Sequence, residues 1–77
     1  MQRLFWLVYG KADDITLFIQ PAGSLVFARL KAAMAGMDGE YQEGYELDDK
    51  MARKVPKKLI GTPLTQKQAN TLLKKLR

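Results

Sequence analysis

Leu4-Phe5-Trp6-Leu7-Val8-Tyr9 is an unbroken run of six apolar residues, closed by Gly10. In an extended chain, successive side chains point to opposite faces, so Leu4, Trp6 and Val8 go one way and Phe5, Leu7 and Tyr9 the other. Both sets are apolar, which is the pattern of a strand covered on two sides. The run is far shorter than the about 20 residues a membrane helix needs, and its length favours a strand over a buried helix. It reads as the central strand of a small sheet.

Downstream, Gly10-Lys11-Ala12-Asp13-Asp14 is turn-rich and of hairpin-loop length. Ile15-Thr16-Leu17-Phe18-Ile19-Gln20 then alternates, with Ile15, Leu17 and Ile19 on one face and Thr16, Phe18 and Gln20 on the other. This is a second strand, expected to stop at Pro21. Ser24 suits a helix N-cap, and Leu25–Ala35 follows with Val26, Phe27, Leu30, Ala33, Met34 and Met37 at helical spacing. Arg29 and Lys31 lie off that stripe, and Gly36 suits a left-handed terminal position. The stripe is expected to lie on the Ile15/Leu17/Ile19 face of the hairpin. Residues 39–47 read as a third strand whose Tyr41, Tyr45 and Leu47 share a face, with acidic side chains guarding an edge. Were this strand parallel to the first, the right-handed crossover rule would place the helix.

Asp48 or Asp49 caps a short helix running to about Lys54, lined inside by Leu47, Met51 and Val55 and ended by Pro56. The connector 57–63 is anchored by Leu59 and Ile60. Thr65-Gln66-Lys67-Gln68 matches a capping box, with Leu64 and Ala69 at staple positions. Ala69, Leu72, Leu73 and Leu76 form an apolar stripe, and Lys74, Lys75 and Arg77 fill a last turn whose dipole favours cations. The fold class is therefore α+β, in the order β-β-α-β followed by a short helix and a capped C-terminal helix. All 77 residues form one domain: a core over 1–47, a basic short helix and connector over 48–64, and a C-terminal helix over 65–77.

Met1-Gln2, Gly10-Lys11, Ile15-Thr16-Leu17, Pro21 and the following helix with Lys31 resemble the hairpin-to-helix entry of ubiquitin-like β-grasp proteins. The likeness covers the first third of the chain. Leu72-Leu73-Lys74-Lys75-Leu76-Arg77 is helical in pattern and lacks the diglycine tail of those proteins, so the resemblance implies a topology and no function.

One helix covers one face of a three-stranded sheet, which leaves Phe5, Leu7, Tyr9 and Phe18 to be covered otherwise. Leaving them in water forgoes roughly 1.5–3 kcal/mol for each large side chain. The C-terminal helix can fold across them, a second copy or protein partner can use them as an interface, or they can offer an aromatic platform to bases. The first is expected, because the stripe of the C-terminal helix otherwise has no home.

The chain has no cysteine and no histidine, which removes disulfides, thiol nucleophiles, the commonest general base and most transition-metal sites. The only serine, Ser24, has no histidine to activate it. Asp13-Asp14 and Asp48-Asp49 lack the spacing of a calcium loop, and Gly36-Met37-Asp38-Gly39 lacks the lysine of a phosphate loop. A non-enzymatic protein is expected, without metal or cofactor. The apolar amino-terminal stretch follows a single positive charge, is shorter than a usual secretory h-region and lacks a small-residue cleavage site. A cytoplasmic protein with no membrane partner is expected.

The net charge of +5 is unevenly divided. Residues 1–47 hold four basic side chains against six acidic ones; residues 48–77 hold nine basic ones against Asp48 and Asp49. Lys50, Arg53, Lys54, Lys57 and Lys58 are crowded together, and Lys67, Lys74, Lys75 and Arg77 follow. Such a cluster suits an anionic partner, RNA or DNA above all, by neutralising phosphates and releasing counterions. The same division suits an internally complementary surface, with Asp38, Glu40, Glu43 and Glu46 facing the basic half. A rival function is a protein–protein module or homodimer built on Phe5, Leu7, Tyr9 and Phe18.

Overall fold

The computed structural model describes residues 3–11, 14–37 and 39–76. Its elements are β1 (Arg3–Lys11), β2 (Asp14–Ala22), α1 (Leu25–Met34), β3 (Tyr41–Glu46), α2 (Asp49–Lys54), a 3₁₀ turn over Lys57–Leu59, and α3 (Gln66–Leu76). The α+β class and the β-β-α-β order stand as read from the sequence. β1 is the middle strand of a sheet ordered β2-β1-β3, and both neighbours run antiparallel to it. β3 is thus parallel to β2 rather than to β1, and α1 links the two across the middle strand.

The hairpin pairs Arg3 with Ala22 through to Lys11 with Asp14. Pro21 lies inside β2 and does not end it. Because β2 is an edge strand, a residue without an N–H is tolerated where the backbone points away from the ladder. That outer edge is finished by the C-terminal connector. Leu17 and Leu64 exchange backbone hydrogen bonds of 3.0 and 2.7 Å, and the Gly61 N–H donates to the Ile19 carbonyl at 2.8 Å.

β3 does not keep regular alternation. The register shifts between Val8 and Tyr9, so that Val8 opposes Glu43 while Tyr9 opposes Tyr41, leaving Gln42 as the extra residue of a bulge. Tyr41 is thereby turned to the α1 side, where it meets Tyr9 edge-on with ring centroids 5.6 Å apart. Tyr45 stays on the other side and stacks on Trp6 at 6.3 Å. The expectation that Tyr41 shares a face with Tyr45 and Leu47 fails for this reason, since one inserted residue exchanges the faces.

The two helical layers also sit on the faces opposite to those expected. Trp6, Leu17 and Ile19 are covered by the chain after β3: Leu47, Val55, Leu64, Ala69, Leu72 and Leu76 are buried against them. Phe5, Leu7, Tyr9 and Phe18 are covered by α1, through Ala28 and Ala32. These four side chains retain at most 6 % of their exposure, so they are core and form neither an open interface nor a base platform. Their bulk also decides which side of α1 turns inward. Three aromatic rings and a leucine already fill the space above the sheet, and the helix closes on them mainly through small side chains, with Leu25 at its start packing at the border. Of the expected inner stripe, Val26, Phe27, Leu30, Ala33 and Met34 face water instead, and Met37 alone packs, half-buried, against this cluster.

Local signals behave as their chemistry demands. Ser24 Oγ accepts from the Phe27 N–H at 3.3 Å, starting α1. The helix ends in a Schellman motif: Gly36, at φ +95°, donates to Ala33 at 3.1 Å, and Met37 donates to Ala32 at 3.0 Å. The capping box of α3 is reciprocal, with Gln68 N–H donating to Thr65 Oγ1 at 3.2 Å and Thr65 N–H to Gln68 Oε1 at 3.0 Å.

Candidate functional site

The basic residues are carried by the layer that covers Trp6, Leu17 and Ile19. Asp48 starts α2 by accepting from the Met51 N–H at 2.7 Å, and Asp49 lies in the first turn, where a negative charge suits the helix dipole. Met51, Ala52 and Val55 turn toward the core, which leaves Lys50, Arg53 and Lys54 exposed. Arg53 and Lys54 fall in the last turn, where the dipole favours cations. Pro56 then breaks the helix, and Lys57 and Lys58 stand exposed on the 3₁₀ turn while Leu59 and Ile60 anchor it to the core. On α3, Ala69, Leu72 and Leu76 face inward and Lys67, Lys74 and Lys75 outward. Arg77 lies outside the described residues, as do Asp13 and Asp38.

Two of these elements meet at a cleft of about 250 Å³. Leu59 and Leu72 supply apolar surface there, and Lys67, Thr71 and Lys75, one helical turn apart in succession, line the α3 side. Leu59 belongs to the turn that carries Lys57 and Lys58, but the cations lining the recess are Lys67 and Lys75 of α3. The trio on α2 shares the same layer, since Met51, Ala52 and Leu73 pack against one core cluster.

Among the described residues, the one ion pair is Arg3 with Glu46, at 3.2 Å, joining β1 to β3. None of the eight described basic side chains of the C-terminal half makes such a contact. Glu43 and Glu46 sit on β3 beside Glu40, and they do not reach across in ion pairs to neutralise α2 or α3. A residue that sequence reasoning passed over is Tyr45, an aromatic 42 % exposed on the same side of the sheet as the basic layer. Burial pushes its phenol pKa up, and Glu43 adds to the rise. With Glu43 and Glu46 beside it, that edge is acidic and does not extend the basic surface.

Neither carboxylate of Asp48-Asp49 is disposed as part of a metal cage; among the described residues no three potential ligands converge. Among them, too, no helix is long and apolar enough to cross a membrane. Comparison of the chain with protein-family models, with curated proteins and with solved structures yields no match.

Proposed function

We propose that this protein is a small non-enzymatic binding module whose basic C-terminal layer contacts an anionic polymer, nucleic acid being the one whose charge density suits it. The observation that carries this reading is the state of Lys50, Arg53, Lys54, Lys57, Lys58, Lys67, Lys74 and Lys75. All are exposed, all belong to the layer on one side of the sheet, and none forms an ion pair with another described residue. A cationic surface of this kind gains affinity by displacing counterions from phosphates, and it reads backbone more than sequence. The cleft between Leu59 and α3 adds an apolar recess bordered by Lys67 and Lys75.

The test is binding of labelled single- and double-stranded DNA and RNA of mixed sequence, followed by anisotropy as salt is raised. Six or more phosphate contacts imply a loss of about 10³-fold or more in affinity between 50 and 200 mM salt. Arg53→Glu combined with Lys57→Glu is expected to abolish binding. Equal binding at low and high salt, or full binding by the double variant, overturns the reading.

A further inference from the structure

α1 turns to solvent the residues that a helix ordinarily hides. Val26, Phe27, Leu30 and Met34 are 74, 58, 53 and 80 % exposed, while Ala28 and Ala32 are fully buried. At 100° per residue, Val26, Leu30 and Met34 follow one another at four-residue steps with Phe27 alongside, which makes one continuous strip. Exposed apolar surface gathered this way on so small a protein marks a contact site rather than scattered surface residues. Beside the strip, between α1 and the start of β3, lies a cleft of about 340 Å³. Val26, Leu30 and Ala33 line it from the helix, and Tyr9 and Tyr41 from the sheet. Ridge and recess together suit a partner that has both grooves and a protruding side chain.

Charge selects among occupants. Arg29 and Lys31 are the only charged residues of α1, and by helical geometry they fall on opposite borders of the strip. The Arg29 guanidinium rests 3.8 Å from the centre of the Tyr41 ring, which holds it at the wall of the cleft. If two copies of this face met, cations would oppose cations whether the helices ran parallel or antiparallel, because α1 carries no acidic side chain. A lipid surface would press on the ridge but leave the recess empty. A segment with apolar anchors bordered by carboxylates satisfies ridge, recess and both cations.

We infer that the outer face of α1, with its adjoining cleft, docks an amphipathic helix of another protein whose apolar side is flanked by Asp and Glu. The site is independent of the basic layer, since the sheet stands between them. The chain would then hold an acidic protein segment on one side and an anionic polymer on the other.

The experiment titrates the full chain with two synthetic peptides of about 18 residues, long enough to be helical. They share a leucine strip; one carries Glu on both borders and the other Lys. The Glu peptide is expected to bind with a Kd of about 10–100 µM, with NMR shift changes confined to α1, Tyr9 and the start of β3. The Lys peptide should bind at least about tenfold more weakly, the loss expected when like charges face each other. Leu30→Glu and, separately, Phe27→Ser should remove binding while leaving the unfolding midpoint in place, because both side chains are exposed. Equal binding of the two peptides, absence of binding by either at millimolar concentration, or shifts elsewhere overturns the inference. So does a Leu30-dependent dimer in sedimentation, or Leu30-dependent flotation with phosphatidylserine vesicles, since either assigns the face to another occupant.

Discussion

Gly44 offers a quantitative test of how closely α1 is seated. It opposes Leu7 across the β1–β3 ladder, on the side covered by α1. A methyl group placed there would lie 2.6 Å from the Tyr41 hydroxyl, 2.8 Å from Leu7 Cδ2 and 3.0 Å from Leu25 Cδ1. The Tyr41 hydroxyl is the free end of a side chain and can swing aside. Leu7 is fully buried and cannot, and Leu25 starts the helix. Overpacking of this kind costs about 1–3 kcal/mol. Removing a glycine from the unfolded chain returns about 0.4–1 kcal/mol, so Gly44→Ala should destabilise by about 1–2 kcal/mol net. Gly23→Ala is the control, because nothing lies within 4 Å of its added Cβ and its φ is not positive. The readout is urea unfolding followed by Trp6, the only tryptophan, which is buried on the far side of the sheet. With m near 1 kcal/mol/M for so small a chain, the Gly44→Ala midpoint should fall by about 1–2 M while that of Gly23→Ala stays or rises. Matching midpoints for the two variants would mean that α1 does not sit as close to β3 as described.

Two further outcomes rest on local chemistry. Thr65→Ala removes one half of the reciprocal cap of α3 and should cost about 1 kcal/mol in the same assay, whereas Thr65→Ser should restore most of it; equal loss in both would dissociate stability from the hydroxyl. Burial holds the Tyr9 phenol above its ordinary value of 10.0, an effect that Arg29 opposes and Tyr41 reinforces. A folded-state pKa raised in this way contributes stability that is whole below the ordinary value and is lost as pH climbs through the raised one. Tyr9→Phe should therefore flatten the decline of unfolding free energy above pH 10, and an unchanged alkaline slope would refute the assignment.

What the sequence made legible, and what it hid, divides along a physical line. Features set within a few residues were readable: Ser24 and Thr65 as caps, the cap of α2 to within the pair Asp48-Asp49, Gly36 at a helix end, and β1 as a strand apolar on both sides. Each depends on a hydroxyl, a carboxylate, a missing Cβ or simple alternation. The assignment of helices to faces was not readable, because it depends on volume summed over three elements. A stripe of large apolar residues in Leu25–Ala35 argues for burial only while the opposing surface has room. Here Phe5, Tyr9 and Phe18 had already filled it, and the four-residue spacing of Ala28 and Ala32 was the available sign that the helix would approach by its small side. The same crowding turns the large side chains of α1 outward. The bulge at Gln42 was hidden too, since nothing in Glu40–Glu46 sets the partner register. The basic cluster was legible as composition, but the lack of ion pairs between it and the other described residues had to come from the geometry.

The clasp that Gly61 and Leu64 place on β2 has a consequence for how the chain is assembled as it is made. The hairpin emerges before the residues that complete it: the roof over Trp6 and the bonds that finish its outer rim come from Leu47 onward. A nascent chain that has reached only Glu46 holds a bare apolar wall and an unclosed rim, the condition under which incomplete chains stick to one another. Shielding of the hairpin thus waits on segments made after it, so this sheet matures backward relative to the direction of synthesis.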